Sequence, residues 1–256
     1  HPQCKTPELD RLAERGVRFE NMHCQYPVCG ASRMSIMSGL YPYTNGALGN
    51  SQSRLYSDDM VTMSQLFREN GYYAGRVSKI YHMGIPNEII AGTSGHDVRR
   101  SWDVAVNVKA PEHHTPGVAT HWSPKDTGSQ TFLGVEADGE DAIHADAMAA
   151  DRAIEFLKEN KDRPFFLAVG FVRPHVPLVA PLKYFDLYDR DKMLDPVVPE
   201  NDLDDVPEII RDYKRHETTY GVTPEPHKRL VEAYYARGSS MAAQAGRRPA
   251  ALEERG

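Results

Sequence analysis

Pro27-Val28-Cys29-Gly30-Ala31-Ser32-Arg33-Met34-Ser35-Ile36-Met37-Ser38-Gly39-Leu40-Tyr41-Pro42 sets a cysteine before two small residues, then Ser32 and Arg33, then an apolar-patterned run that Gly39 stops. The run predicts a helix over Ser32–Ser38, with Met34, Ile36 and Met37 as core candidates and Gly39 as its C-terminal stop. Cys29 then falls at or just before a helix N-terminus, where free backbone N–H groups and the helix dipole favour an anion. The same field lowers a thiol pKa and makes the sulfur reactive. Arg33 adds a permanent planar cation about one turn further on, suited to a tetrahedral or carboxylate-like oxyanion. At this point a buried structural cysteine fits equally well.

The chain has 256 residues, 40% of them apolar and 26% charged, with a formal net charge of −6. That length buries a substantial core, and the composition is that of a globular protein. A net negative charge without a basic run argues against nucleic acid as a partner. No apolar run approaches a membrane span and no signal peptide is visible. Because the chain opens at His1 without an initiator Met, we expect it to be part of a longer polypeptide. Cys4, Cys24 and Cys29 make no disulfide framework.

Working outward, Thr6-Pro7 to Gly16 predicts a helix over Pro7–Arg15, with Thr6 as N-cap and Leu9, Leu12 and Ala13 as the apolar stripe. Val17–Met22 alternates as a strand with one buried face. Thr62 to Gln65 reads as a capping box that opens a helix over Met63–Asn70, and Tyr72–Ser78 as the next strand. Residues 89–139 are rich in Gly, Pro, His and Asp, and predict long surface loops over an active-site face. A helix over Asp141–Lys161 carries Ala147, Ala150, Ile154 and Leu157 on one face. Phe165–Phe171 is a continuous apolar run, as in a central parallel strand covered on both faces. Residues 196–225 predict a second loop-rich excursion around one short helix. From Lys228 the chain turns helical, with breaks expected at Gly238, Gly246 and Pro249. Helices alternating with strands point to an α/β protein with a mostly parallel sheet.

Two further segments carry chemistry. Lys79-Ile80-Tyr81-His82 closes a predicted strand, the usual place for ligand groups in open α/β sheets. A Lys and a His three apart at such an end can grip an anion and move a proton. Arg173-Pro174-His175-Val176-Pro177 holds His175 between two prolines directly after the apolar strand, which fixes the backbone beneath the ring. Taken singly, these residues also admit a plain structural reading as a surface Lys, a satisfied half-buried His and a rigid turn with an incidental His. His113-His114 lacks a third ligand at metal-binding spacing.

Taken together, the three segments resemble the type I, formylglycine-dependent sulfatases. Cys29 to Arg33 resembles their Cys-x-Pro-x-Arg signature, with Ala31 where Pro is usual. Lys79 to His82 resembles their Lys-x-x-His element. Arg173 to Pro177 resembles the Lys-Pro-His-x-Pro segment of the iduronate-2-sulfatase-like group, with Arg173 in place of Lys. The resemblance runs over about residues 1–236 and implies an alkaline-phosphatase-like α/β fold, a mostly parallel sheet flanked by helices, present here incompletely as the N-terminal part of the catalytic domain.

What it implies of function is specific. Cys29 would be oxidised to formylglycine by a formylglycine-generating or equivalent maturation enzyme. The hydrated aldehyde would take the sulfuryl group from a sulfated carbohydrate and then release sulfate by elimination, a route closed to a serine ester. Arg33 and Lys79 would grip the sulfate, His82 would take the proton of the second hydroxyl, and His175 would serve the leaving oxygen. A Ca²⁺ ion would be bound by modified Cys29 and by carboxylates expected before His1 and after Gly256. The fragment itself is therefore expected to be inactive. A phosphonate or phosphodiester hydrolase of the same superfamily, and a non-catalytic remnant, are the alternatives to a sulfuric ester hydrolase.

Overall fold

The computed structural model describes residues 1–50, 60–122, 132–194, 197–211 and 227–253, with side chains up to 247. Its helices are α1 (Pro7–Glu14), α2 (Cys29–Ser38), α3 (Pro42–Asn45), α4 (Met63–Glu69), α5 (Asn87–Ala91), α6 (Ala145–Glu159), α7 (Leu182–Phe185) and α8 (His227–Glu253). Its strands are β1 (Tyr73–Ser78), β2 (Val104–Val106), β3 (Gly117–His121), β4 (Leu133–Ala137), β5 (Phe165–Gly170) and β6 (Leu178–Pro181). They fall into two compact units.

The larger unit comprises residues 6–112, 141–173 and 241–256. At its centre is a parallel sheet in the order β2-β1-β5. Because successive side chains alternate across a strand, each face collects its own core. On one face Val77, Leu167 and Val169 pack with Ala145 and Ala149 of α6. On the other, Ala74, Phe166 and Ala168 pack with Met34 and Met37 of α2 and with Trp102. Helices on both faces of a parallel sheet are the expected α/β layering.

The smaller unit comprises residues 1–5, 113–140 and 174–240. Here β3 pairs antiparallel with β4, and β4 pairs parallel with β6. Leu133, Val135, Ala137 and Val179 form the core of this sheet. No described helix is long and apolar enough to cross a membrane.

Several expectations need correction. Val17–Met22 forms no strand among the described residues: Val17, Phe19 and Met22 are exposed. Alternation is a property of the segment, whereas a strand needs a neighbour to complete its ladder. β5 is not central: it lies at one edge of the described sheet and is half-buried along its length, while β1 takes the middle. Residues 89–139 are not mainly surface loops. They supply α5, β2, β3 and β4, and they bury Ile89, Val98, Trp102 and Val108. Their elements are three to five residues long, too short to show periodicity. Residues 123–131, 196 and 212–225 of the two predicted excursions lie outside the described residues.

Helix ends also differ in detail. Thr6 precedes α1 but makes no capping bond through its side chain, and no α1 residue is buried. Thr62 does cap α4, accepting a hydrogen bond from the Gln65 amide, yet the Gln65 side chain turns to Glu69, so only half of the box forms. Helix α8 runs unbroken through Gly238 and Gly246. Interior glycine weakens a helix by only about 1 kcal/mol, and a Cβ at Gly246 would collide with the Glu8 side chain of α1. The glycine is used for close approach rather than as a stop.

Candidate active site

Helix α2 begins at Cys29, with Val28 in extended backbone as its N-cap and Gly39 in the left-handed conformation at its C-terminus. The first intrahelical bond runs from the Ser32 amide to the Val28 carbonyl. The amides of residues 29–31 therefore have no partner inside the helix, and that of Gly30 is satisfied by the Asn50 side chain at 2.9 Å. A proline in place of Ala31 would therefore remove an N–H that makes no intrahelical bond. Met34 and Met37 are buried as expected, but Ile36 is exposed. At 100° per residue, Ile36 points away from the face that Met34 and Met37 share.

One turn on from Cys29, the Arg33 guanidinium bridges two elements. Its Nε donates to Cys29 Sγ at 3.2 Å. Its Nη1 donates to the carbonyls of Lys79 and Ile80 at 3.1 and 2.9 Å. Those carbonyls belong to the chain leaving the C-terminal end of β1, so one side chain ties the helix N-terminus to the strand exit. Lys79 itself is buried. Its amide donates to the Gly170 carbonyl at 3.2 Å. Gly170 makes this approach possible, because a Cβ there would fall on the Lys79 carbonyl.

The charges follow from this packing. A hydrogen bond from His82, helped by Lys79 and Arg33 and opposed by burial, brings the Cys29 thiol down from 9.0 to about 6. Burial pushes the Lys79 ammonium down to about 8; Cys29, Glu88 and Glu112 pull it back up, while Arg33 pushes it further down. The His82 ring stacks on His96 with centroids 6.0 Å apart. Beside Cys29 and Arg33 opens a cavity of about 580 Å³ walled by Ile36, Met37, Phe166 and Val169.

Cys29, Arg33, Lys79 and His82 thus meet within the larger unit, at the carboxyl end of a parallel strand. His175 belongs to the smaller unit. There its Nδ1 faces the Val176 carbonyl at 2.7 Å, and its own carbonyl accepts a hydrogen bond from Arg237 Nη1 at 2.7 Å. Three closely packed residues of the larger unit carry no clear signal in the sequence. Gly170 ends an apolar run. Asp146 hides in the alanine-rich face of α6. Glu112 carries no local signal at all.

A family model described as Sulfatase matches residues 1–236. The chain belongs to the sulfatase family. It is 32% identical over 263 aligned positions to a sulfatase of Formosa agariphila, covering 95% of this chain and 49% of that protein. To the iduronate 2-sulfatase of Homo sapiens it is 28% identical, over 98% of this chain and 48% of that one. Among solved structures, the phosphonate monoester hydrolase of Agrobacterium radiobacter superposes with a TM-score of 0.74 at 20% identity, over 100% of this chain and 56% of its own. The fold is that of the alkaline-phosphatase-like superfamily. The chain spans about half the length of the curated relatives it matches.

Proposed function

We propose that this chain carries the nucleophile of a sulfuric ester hydrolase that releases sulfate from a sulfated carbohydrate. The observation that carries the proposal is the convergence of Arg33, Lys79 and His82 on Cys29, at a helix N-terminus and a strand exit. Two cations beside a helix N-terminus make an anion site, and His82 adds a group able to move a proton. The iduronate 2-sulfatase relative supports a sulfated sugar as the substrate class.

In this reading Cys29 is converted to formylglycine by a maturation enzyme, and the hydrated aldehyde supplies an oxygen nucleophile with a second hydroxyl for release. The residues of this chain prepare and serve that group. Arg33, pinned by two carbonyls, presents its guanidinium in one orientation. Lys79 balances charge on the transferring sulfuryl group, and His82 holds the proton at the modified residue. His175 is assigned the leaving oxygen. The family's calcium ion is a different matter. Among the described residues no group of three or more His, Cys, Asp or Glu side chains is arranged to hold a metal. The surroundings of Cys29 are cationic rather than the carboxylate-rich shell that calcium needs.

The test is to produce the natural protein that carries this chain together with a formylglycine-generating enzyme. Peptide mass spectrometry is expected to show Cys29 without its thiol and carrying an aldehyde that traps hydrazides. Turnover of a sulfate ester should exceed that of the matching phosphonate monoester, and Cys29→Ala should abolish it. Sulfate release with Cys29 still a thiol would overturn the mechanism. A preference for the phosphonate would move the protein to the hydrolase class of its structural neighbour.

A further inference from the structure

Two buried carboxylates in the larger unit stand apart from the four residues around the sulfur. Asp146 lies in the first turn of α6, among Ala145, Ala147 and Ala149. Its Oδ1 accepts the Val172 amide at 2.6 Å and its Oδ2 accepts the Arg173 amide at 3.1 Å, so each oxygen takes one of two successive backbone N–H groups. Glu112 comes from a separate segment and takes the Arg173 side chain: Nη2 reaches its two oxygens at 3.1 and 3.0 Å. The side chains of this ion pair are 5% and 1% exposed. Glu112 itself sits at φ +53, a backbone conformation unusual for a residue with a Cβ.

Arg173 is therefore held twice, by its backbone and by its side chain, and by carboxylates from two different parts of the chain. A turn that needed only to be covered would be served as well by apolar packing, since a buried ion pair is seldom more stable than a hydrophobic replacement of the same volume. Such groups are instead frequent where position matters. The chain goes from Arg173 directly into Pro174 and His175. Glu112 is also near enough to raise the pKa of Lys79.

We propose that Asp146 and Glu112 are positioning residues, a two-carboxylate clamp that fixes the Val172–Arg173 turn, which runs along the chain directly into Pro174 and His175. Burial pushes the Asp146 carboxyl up to about 6 against the opposing pull of Arg173 and the two amides, which marks it as a group held in place at some expense to the fold. The functional half of the inference rests on the role assigned to His175 above. There, an oxygen of the hydrated aldehyde bonds to sulfur as the ester S–O bond breaks, the electron pair moves to the ester oxygen, and His175 gives that oxygen a proton.

The test has two arms. In the first, amide hydrogen exchange is followed in the chain with Asp146→Asn, whose side chain offers one acceptor oxygen instead of two. Exchange at Val172 and Arg173 should rise by about tenfold or more, the loss of a hydrogen bond to a charged acceptor, while amides in the middle of β1 stay protected. In the second, the converted natural protein is assayed on 4-nitrophenyl sulfate and on an alkyl sulfate. A nitrophenolate leaves without a proton, whereas an alkoxide does not. Asp146→Asn should therefore slow the alkyl ester far more than the nitrophenyl ester, and Glu112→Gln, which preserves shape, should reproduce that selectivity. Unchanged exchange at the two amides, or equal losses on both esters, would overturn the clamp. If the unaltered protein hydrolyses neither ester, the sulfatase reading fails, and the exchange measurement alone decides whether the turn is clamped.

Discussion

Gly170→Ala adds one methyl group where the end of β5 passes against the exit of β1 at Lys79. The new Cβ would occupy the position of the Lys79 carbonyl, so either β5 or the backbone at Lys79 must move. Overpacking of this kind destabilises by about 1–3 kcal/mol. A further loss of about 1 kcal/mol follows if the bond from the Lys79 amide to the Gly170 carbonyl is broken. The consequence for the site is larger than that for the fold. Arg33 is held by the carbonyls of Lys79 and Ile80, and Arg33 and Lys79 both help to depress the Cys29 thiol. A displacement on the order of 1 Å at a positioned group is enough to cost about 100-fold in a rate.

The assay is alkylation of unconverted Cys29 by iodoacetamide as a function of pH, read by peptide mapping so that Cys4 and Cys24 are followed separately. Only the thiolate reacts. The unaltered chain should therefore react along a curve with its midpoint at about 6. In Gly170→Ala the midpoint should rise by about one unit or more, equivalent to about 1.4 kcal/mol of lost stabilisation of the thiolate. A variant with the same midpoint and the same melting temperature would refute the claim that Gly170 sets the position of Lys79 and Arg33.

Two more expectations follow from the same geometry. His82 is the strongest influence on the thiol, so His82→Ala should move the alkylation midpoint further up towards 9.0 than Gly170→Ala does; a smaller effect than that of Gly170→Ala would reverse the ranking. Asp146 has a folded-state pKa raised from 3.8 to about 6. Below both values it is protonated in folded and unfolded chains and contributes nothing. Between them only the unfolded chain ionises, and above about 6 the full penalty of about 3 kcal/mol applies. The stability of the unaltered chain relative to Asp146→Asn, followed by denaturant unfolding, should therefore fall as pH rises from 4 to 7. A difference independent of pH would show that Asp146 does not titrate in that window.

The parts of the molecule legible in the sequence were those fixed by neighbours along the chain. Gly39 stops α2, Thr62 starts α4 and Gly71 follows its end, all through local caps. Cys29, Arg33, Lys79 and His82 were recognisable because residue type and spacing carry the chemistry. What failed depended on contacts between distant segments. Val17–Met22 has the pattern of a strand but no ladder partner among the described residues. The apolar run at Phe165 could not reveal which strand would lie in the middle of the sheet. Gly246 looks like a break until the close approach of Glu8 is seen. Asp146 was passed over because a single carboxylate in an alanine-rich face looks like its polar edge, and its partners lie 26 and 27 residues away.

With Cys29 as a thiol the site is electrostatically self-satisfied, which bears on what the proposed conversion to formylglycine would change. At neutral pH a thiol with a pKa of about 6 is a thiolate, and its negative charge already engages Arg33 and Lys79. An incoming sulfate ester would meet a like charge at the atom meant to attack it, and cations partly neutralised in advance. Replacing the thiolate by a neutral carbonyl group removes that charge while leaving Arg33 pinned by Lys79 and Ile80. Lys79 then loses one of the charges that hold its pKa up, so on its own it would drift further towards neutrality. A bound sulfate restores the missing negative charge and with it the ammonium form. On the proposed function, a bound sulfuryl anion and the charge of Lys79 would therefore favour one another.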